Sequence, residues 1–318
     1  MKILEEVILP GESKTLHLEI ARLHTATKLK IPVIISRALE DGPTILFSAG
    51  LHGDELNGVD IVRQIVHQGL NRPKRGTIIC IPVINIFGFI NKTREFPDGR
   101  DLNRVFPGSK TGSLAGRFAY HILTHIIPHV DFVIDFHAGG QSRFNAPQLR
   151  IAMDDKAVLE PLAKIFHPPF LLYSNQITGS FRSACAKRGV KMLLFEGGKS
   201  LDINAEVSKM GVEGTKRVLR HFDMLREEIE VENRQEKMVI ISQSVWIRAK
   251  QSGLMHDQVA VGTFVRKGEA LAYISDPYGR ENVMIKAPNS GYVINVNDSP
   301  IVYQGDAIFH LSKNSTHE

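Results

Sequence analysis

The chain lacks most of what stabilises secreted or membrane proteins. Only two cysteines occur in 318 residues, so no disulfide framework can be drawn and a reducing compartment is expected. Cys80 lies inside the apolar run Ile78 to Ile81, and Cys185 lies in a helix-like segment. Long hydrophobic runs are missing too. The greasiest stretch, Thr77 to Ile90, is broken by Pro82, Asn85 and Gly88 and is too short to span a bilayer. The first thirty residues carry Glu5, Glu6, Glu12 and Glu19 without a continuous apolar core, which argues against a signal peptide. A soluble cytoplasmic protein that engages no membrane is the expectation. Blocks of one charge are also absent. The 39 Lys and Arg and 34 Asp and Glu give a net charge of +5, and the basic residues are scattered without aromatic interleaving, so nucleic acid is not an expected partner.

What is present is globular: 43% hydrophobic and 23% charged residues, in a chain about twice the usual domain length. Weak alternation around Leu16, Leu18 and Ile20, then Ile31, Val33 and Ile35, predicts a hairpin, and Asp41-Gly42-Pro43 marks a turn. Strands and helices then take turns. Ile45 to Phe47, Ile78 to Val83, Phe132 to Phe136 and Met192 to Phe195 read as buried strands. Glu55 to His67, Leu114 to Ile127, Lys156 to Phe166, Ser180 to Arg188 and Val212 to Ile229 read as helices. This alternation predicts an α/β fold with a mixed sheet flanked by helices over residues 1–236. After the polar stretch Arg226 to Lys237 the helical period ends.

Residues 237–318 read as a second, small all-β barrel-sandwich domain with an internal repeat. Val265-x-x-Gly268-Glu269-Ala270-Leu271-x-x-Ile274 recurs as Val302-x-x-Gly305-Asp306-Ala307-Ile308-x-x-Leu311. Ile285-Lys286-Ala287-Pro288-Asn289-Ser290-Gly291-Tyr292-Val293 resembles the strand-turn signature of biotinyl/lipoyl-type domains. Such domains carry a cofactor on a lysine at a hairpin tip. The corresponding Ser275-Asp276-Pro277-Tyr278-Gly279-Arg280 has no lysine, so a cover or gating role is expected rather than a carrier.

Three fragments, His52-Gly53-Asp54-Glu55, Asp135-Phe136-His137 and Phe195-Glu196-Gly197-Gly198, each follow an apolar strand-like run. Open α/β sheets place ligands beyond the carboxyl ends of their strands. Two imidazoles and a carboxylate leave a zinc ion one open position for water, and a further glutamate can serve as the base. His52 and Glu55 are three apart at a strand-to-helix turn; alone, such a pair also suits a surface or capping role. Asp135 shares a strand side with His137, where it can accept the free imidazole N–H or cap a backbone loop. Glu196 suits a general base or a buried salt bridge. The loop Arg94-Glu95-Phe96-Pro97-Asp98-Gly99-Arg100-Asp101-Leu102-Asn103-Arg104-Val105-Phe106-Pro107-Gly108 is rich in guanidinium groups, which bind carboxylates in pairs of hydrogen bonds.

In their order, H-G-D-E, D-L-N-R-x-F-P-G, D-F-H and E-G-G make the sequence similar to the succinylglutamate desuccinylase/aspartoacylase family of zinc carboxypeptidase-like hydrolases. The resemblance is strongest from Ile45 to Gly198. It implies one Zn²⁺ per chain on His52, Glu55 and His137, and Glu196 as catalytic acid and base. It further implies that Asn103 and Arg104 hold a substrate carboxylate, that Arg94, chosen over Arg100, steadies the oxyanion, and that Arg182 contacts substrate. The implied reaction is amide hydrolysis of a small, carboxylate-bearing N-acyl amino acid or related acylated amine. A metallocarboxypeptidase acting on peptide C-termini and a non-catalytic binding protein of the same fold are the alternatives. Self-association through the β tail is left open.

Overall fold

The computed structural model describes residues 1–22 and 24–317. Its central feature is a mixed sheet whose middle strands are Arg75–Ile81, Glu40–Ala49, Phe132–Gly139 and Lys191–Lys199, all parallel. On one side the antiparallel hairpin Ser13–Arg22 with Lys28–Arg37 extends it, in the register Leu16 to Val33. On the other side Arg143–Ile151 runs antiparallel to Lys191–Lys199, and Phe170–Tyr173 runs parallel to Arg143–Ile151. Helices cover both faces, which is why the middle strands are continuously apolar rather than alternating.

Successive strand residues feed opposite layers. Ile45, Phe47, Ile134 and Phe136 pack with α1 (Leu56–His67), and Leu46 and Val133 pack with α3 (Leu114–His125). Between α1 and α3 lies the short α2 (Ile86–Asn91). The first layer also holds α4 (Lys156–Phe166), and the second holds α5 (Phe181–Ala186). Full burial of each such side chain contributes about 1.5–3 kcal/mol. Helix starts follow capping chemistry: Ser113 accepts from Gly116 N–H and Ser180 from Ser183 N–H.

The last helix differs from the expected Val212 to Ile229. It is α6, Ala205–His221, and joins the first layer. Asn204 starts it by accepting from Val207 N–H, and Asp223 ends the segment in a left-handed conformation. Two strands, Arg143–Ile151 and Phe170–Tyr173, were not expected at all.

Beyond residue 236 the sheet continues instead of stopping. Val239–Arg248 pairs in parallel with Phe170–Tyr173, and Ala307–His317, Gly291–Asn297 and Phe264–Val265 follow in order. Gly291–Asn297 also pairs back onto Arg143–Ile151. A second sheet of Asn282–Lys286, Ala270–Ser275, Gly253–Asp257 and Ile301–Val302 packs over it. The repeat is visible in the packing: Val265, Leu271 and Ile274 share one buried cluster with Val302, Ile308 and Leu311. The change of texture at Arg226 to Lys237 is thus real in periodicity, while the hydrogen-bonded sheet runs through it. No helix among the described residues is long and apolar enough to cross a membrane.

Candidate active site

The first parallel strand ends at Ala49, and the chain turns through His52 and Gly53 into α1, with Glu55 at its N-cap. Gly53 is required there: a Cβ would stand 1.9 Å from the Gly88 carbonyl carbon of α2. Next to this turn the strand Phe132–Gly139 delivers His137. The three side chains are buried, and one ligand atom from each lies within 4.8 Å of the others. Both imidazoles aim Nδ1 at one carboxylate, His52 at Glu55 Oε1 (2.7 Å) and His137 at Glu55 Oε2 (2.8 Å). Their outer nitrogens are also held. His52 Nε2 is 3.1 Å from Asp101, and His137 Nε2 is 2.8 Å from Asp135, itself fixed by the Ser48 hydroxyl at 2.7 Å. Asp135 thus meets an imidazole and a hydroxyl rather than a loop backbone.

Burial opposes charge on Glu55, yet the flanking imidazoles outweigh it and hold its carboxyl well below the usual range. On His137 burial also opposes charge, but Asp135 and Glu55 raise the imidazole well above its ordinary value. His52 is raised in the same way by Glu55 and Asp101. Arg94 donates to Glu55 (3.1 Å) and, through two nitrogens, to Asp101 (3.1 and 2.9 Å). The cluster thus holds three carboxylates, Glu55, Asp101 and Asp135, and one guanidinium, that of Arg94, which pairs with the first two. With both imidazoles neutral, the cluster carries two surplus negative charges, those of one divalent cation, and its N, N, O donor set suits zinc.

Glu196 does not close its strand, which runs on to Lys199, but stands within it opposite His137 in the parallel register. Its Oε2 accepts from Asn145 Nδ2 at 2.8 Å, and Arg150 stands 3.7 Å from Oε1. Glu196 and the His-Glu-His cluster line one cavity of about 260 Å³. Arg94, Asn103, Arg104 and Arg182 line it as well. Arg100 pairs instead with Asp98 away from the cavity. Asn103 commits its Oδ1 to Phe181 N–H (2.8 Å), and its side chain lines the cavity. Arg182 is mostly buried and gives its hydrogen bonds to Arg150 O, Ser174 and Asn175 O, bracing that loop. Burial, reinforced by the Arg150 charge, pushes its guanidinium down to about 10.

Residues 41–222, more than half of the chain, match the model of the succinylglutamate desuccinylase/aspartoacylase catalytic domain. The chain belongs to that family. A relative from Halomonas elongata, the N-alpha-acetyl-L-2,4-diaminobutyric acid deacetylase, is 27% identical over 258 residues, 77% of this chain and 74% of its own length. A succinylglutamate desuccinylase/aspartoacylase from Rhodobacter sphaeroides superposes with a TM-score of 0.84 at 23% identity, covering 99% of this chain and 100% of that one. The product-bound ectoine utilization protein of Ruegeria pomeroyi gives 0.83 at 22% identity, covering 96% and 97%. At such identities the two structures speak for the fold alone.

Around the His-Glu-His cluster and its cavity stand residues that the sequence pattern did not single out: Asp101, Arg143, Asn145, Arg150, Trp246 and Asn295. Asp101 had a signal, lying two residues before Asn103 in the quoted loop. Trp246 and Asn295 come from beyond residue 236 and line the same cavity. Trp246 stacks on His310 at 4.3 Å, with the Arg143 guanidinium 6.0 Å from its ring centroid. Nothing in the local pattern of either segment announces a role in a cavity built mainly from residues 52–196.

Proposed function

We propose that this chain hydrolyses the amide bond of an N-acyl amino acid or related small acylated amine, using one zinc ion held by His52, Glu55 and His137. The observation that carries the reading is the buried His-Glu-His cluster, which with Asp101, Asp135 and Arg94 carries two surplus negative charges and opens on one cavity with Glu196. The activity named for the Halomonas relative, a deacetylase, supports the same bond type. Zinc bound there would act as a Lewis acid and bring the pKa of its water toward about 7. Glu196 takes a proton from the attacking water and returns it to the leaving amine. Arg94, braced by Asp101 and Glu55, supplies the donor for the developing oxyanion. Asn103 and Arg104 hold the substrate carboxylate and so convert binding into orientation.

The charges of the cavity wall support an acidic substrate. Arg94, Arg104, Arg143, Arg150 and Arg182 line it, whereas Glu55 and Asp135 are engaged with imidazoles and Glu196 with Asn145. The cavity size, with Trp246 and Asn295 in its wall, favours a small substrate over the open groove a peptide chain needs. Residues 237–318 act in this reading as a barrel-sandwich cover.

The test is amine release by the zinc-loaded protein from a panel of N-acyl amino acids and their carboxamide analogues. Acids should be cleaved, and the carboxamides should show KM raised about tenfold or more, the worth of a charged hydrogen bond. Equal KM for acids and carboxamides would remove the anchoring role of Asn103 and Arg104. Trimming of peptides with no cleavage of small acylated amines would favour the carboxypeptidase alternative.

A further inference from the structure

The catalytic carboxylate touches the C-terminal strands through two buried amides. Asn145 and Asn295 are 4% and 2% exposed. Asn295 Nδ2 donates to Asn145 Oδ1 at 2.8 Å, and Asn145 Nδ2 donates to Glu196 Oε2 at 2.8 Å. The direction is fixed by chemistry. An ionised carboxylate only accepts, so Asn145 must turn its NH₂ toward Glu196 and its oxygen toward position 295, where a donor is then needed.

The backbone is built to hold this line. Asn295 pairs with Asn145, Val296 with Phe144 and Asn297 with Arg143. Asp298 N–H donates to Ser142 O at 2.8 Å, and Lys199, three residues past Glu196, bonds Asp298 at 2.8 Å. The strand carrying Asn295 shifts register between Val293 and Asn295, and the strand carrying Glu196 shifts just after it. Such irregularities re-aim side chains near sites. The arrangement is costly as packing: Asn295 Oδ1 is buried without a partner among the described residues, as are both side-chain amide atoms of Gln148. A purely structural contact between strands has no need of an amide half-satisfied at the edge of a cavity.

We infer that Asn295 is a positioning residue for Glu196, acting through Asn145, so that the general base is aimed only when the strands beyond residue 236 are seated. The inference rests on the hydrolase reading for the role of Glu196, but its geometry does not. Asn295→Ala should lower kcat by on the order of 10- to 100-fold with KM within about twofold, zinc content unchanged. Asn295→Asp should be slower still, because a carboxylate there turns the Asn145 amide around and presents its oxygen to Glu196. Adding Asn295→Ala to Asn145→Ala should cost nothing further, since the line is already cut. Wild-type kcat in Asn295→Ala, KM and kcat falling together, or additive losses in the double variant would overturn the positioning role. A readout free of turnover is the side-chain amide spectrum of ¹⁵N-labelled protein. Glu196→Gln should move the Asn145 amide resonances and, through them, those of Asn295. If neither moves, the relay is wrong whatever the enzyme hydrolyses; if both move while no acylated amine is cleaved, the relay stands and the hydrolase reading falls.

Discussion

Each imidazole of the His-Glu-His cluster lies between two carboxylates, so removing a carboxylate on the outer side tests how the proposed ligands are held. Asp101→Ala leaves His52 Nε2 without its 3.1 Å partner and should weaken zinc binding by about 10- to 100-fold, measured by competition with a chromophoric chelator. Unchanged affinity would mean that the strand-end turn alone orients His52. Two further substitutions separate holding from chemistry. His52→Ala should lose bound zinc outright, whereas Glu196→Ala should keep one zinc per chain in elemental analysis and lose about 10²- to 10⁴-fold in kcat. Normal turnover by the Glu196 variant would remove its assignment as base. The grouping of His52, Glu55 and His137 was legible because His52 and His137 follow apolar runs with glycines close by and Glu55 stands one turn after His52. The pairing of Asp101 with His52 was not legible, since an acid among arginines reads as solvated surface.

Elements were legible where one period dominates. The middle strands and α1, α3, α4 and α5 lie where apolar runs and helical spacing put them. Strand Arg143–Ile151 was hidden by the groups it brings to the site: Asn145, Gln148 and Arg150 break the apolar pattern, and Pro147 cannot donate to a ladder. It sits where the pairing between Lys191–Lys199 and Arg143–Ile151 turns irregular. Helix α6 starts at Ala205 rather than at the expected Val212, and its Gly211 and Gly214 admit Ile61 and the Phe166 ring close to the helix. The strand Ala307–His317 supplies a pH test. Burial, aided by the Arg150 charge, pushes His310 down to about 3 from an ordinary 6.5. Below pH 6.5 the unfolded chain takes up a proton that the folded chain refuses until about pH 3, so stability drains away as pH falls through that window. His310→Gln should show a shallower fall of Tm between pH 6.5 and 3 than the wild type. Parallel curves would place the proton uptake elsewhere.

At the scale of the molecule, the strands beyond residue 236 are bound into the main sheet rather than hung from it. Ala146, Phe170 and Leu172 share a buried cluster with Val239, Ile241 and Ile294. A chain ending at 236 should therefore expose that cluster and the free edge of Phe170–Tyr173 and self-associate, seen as aggregates in size-exclusion chromatography with light scattering. A monodisperse, zinc-binding fragment with full turnover would argue against both the shared sheet and the Asn295 relay.

The amino-acid order by itself determined the alternating α/β frame, the placement of the two histidines and Glu196 after apolar runs, and the duplicated pattern of the tail. These are local facts, written in period-2 and period-3.6 burial and in glycines that let the chain turn. Which carboxylate backs which imidazole, and that Asn295 meets Asn145 across 150 positions of sequence, only the tertiary structure decided. Hydrogen bonds between distant segments depend on how strands stack into a sheet, and that stacking leaves no mark on the residues nearest in the chain.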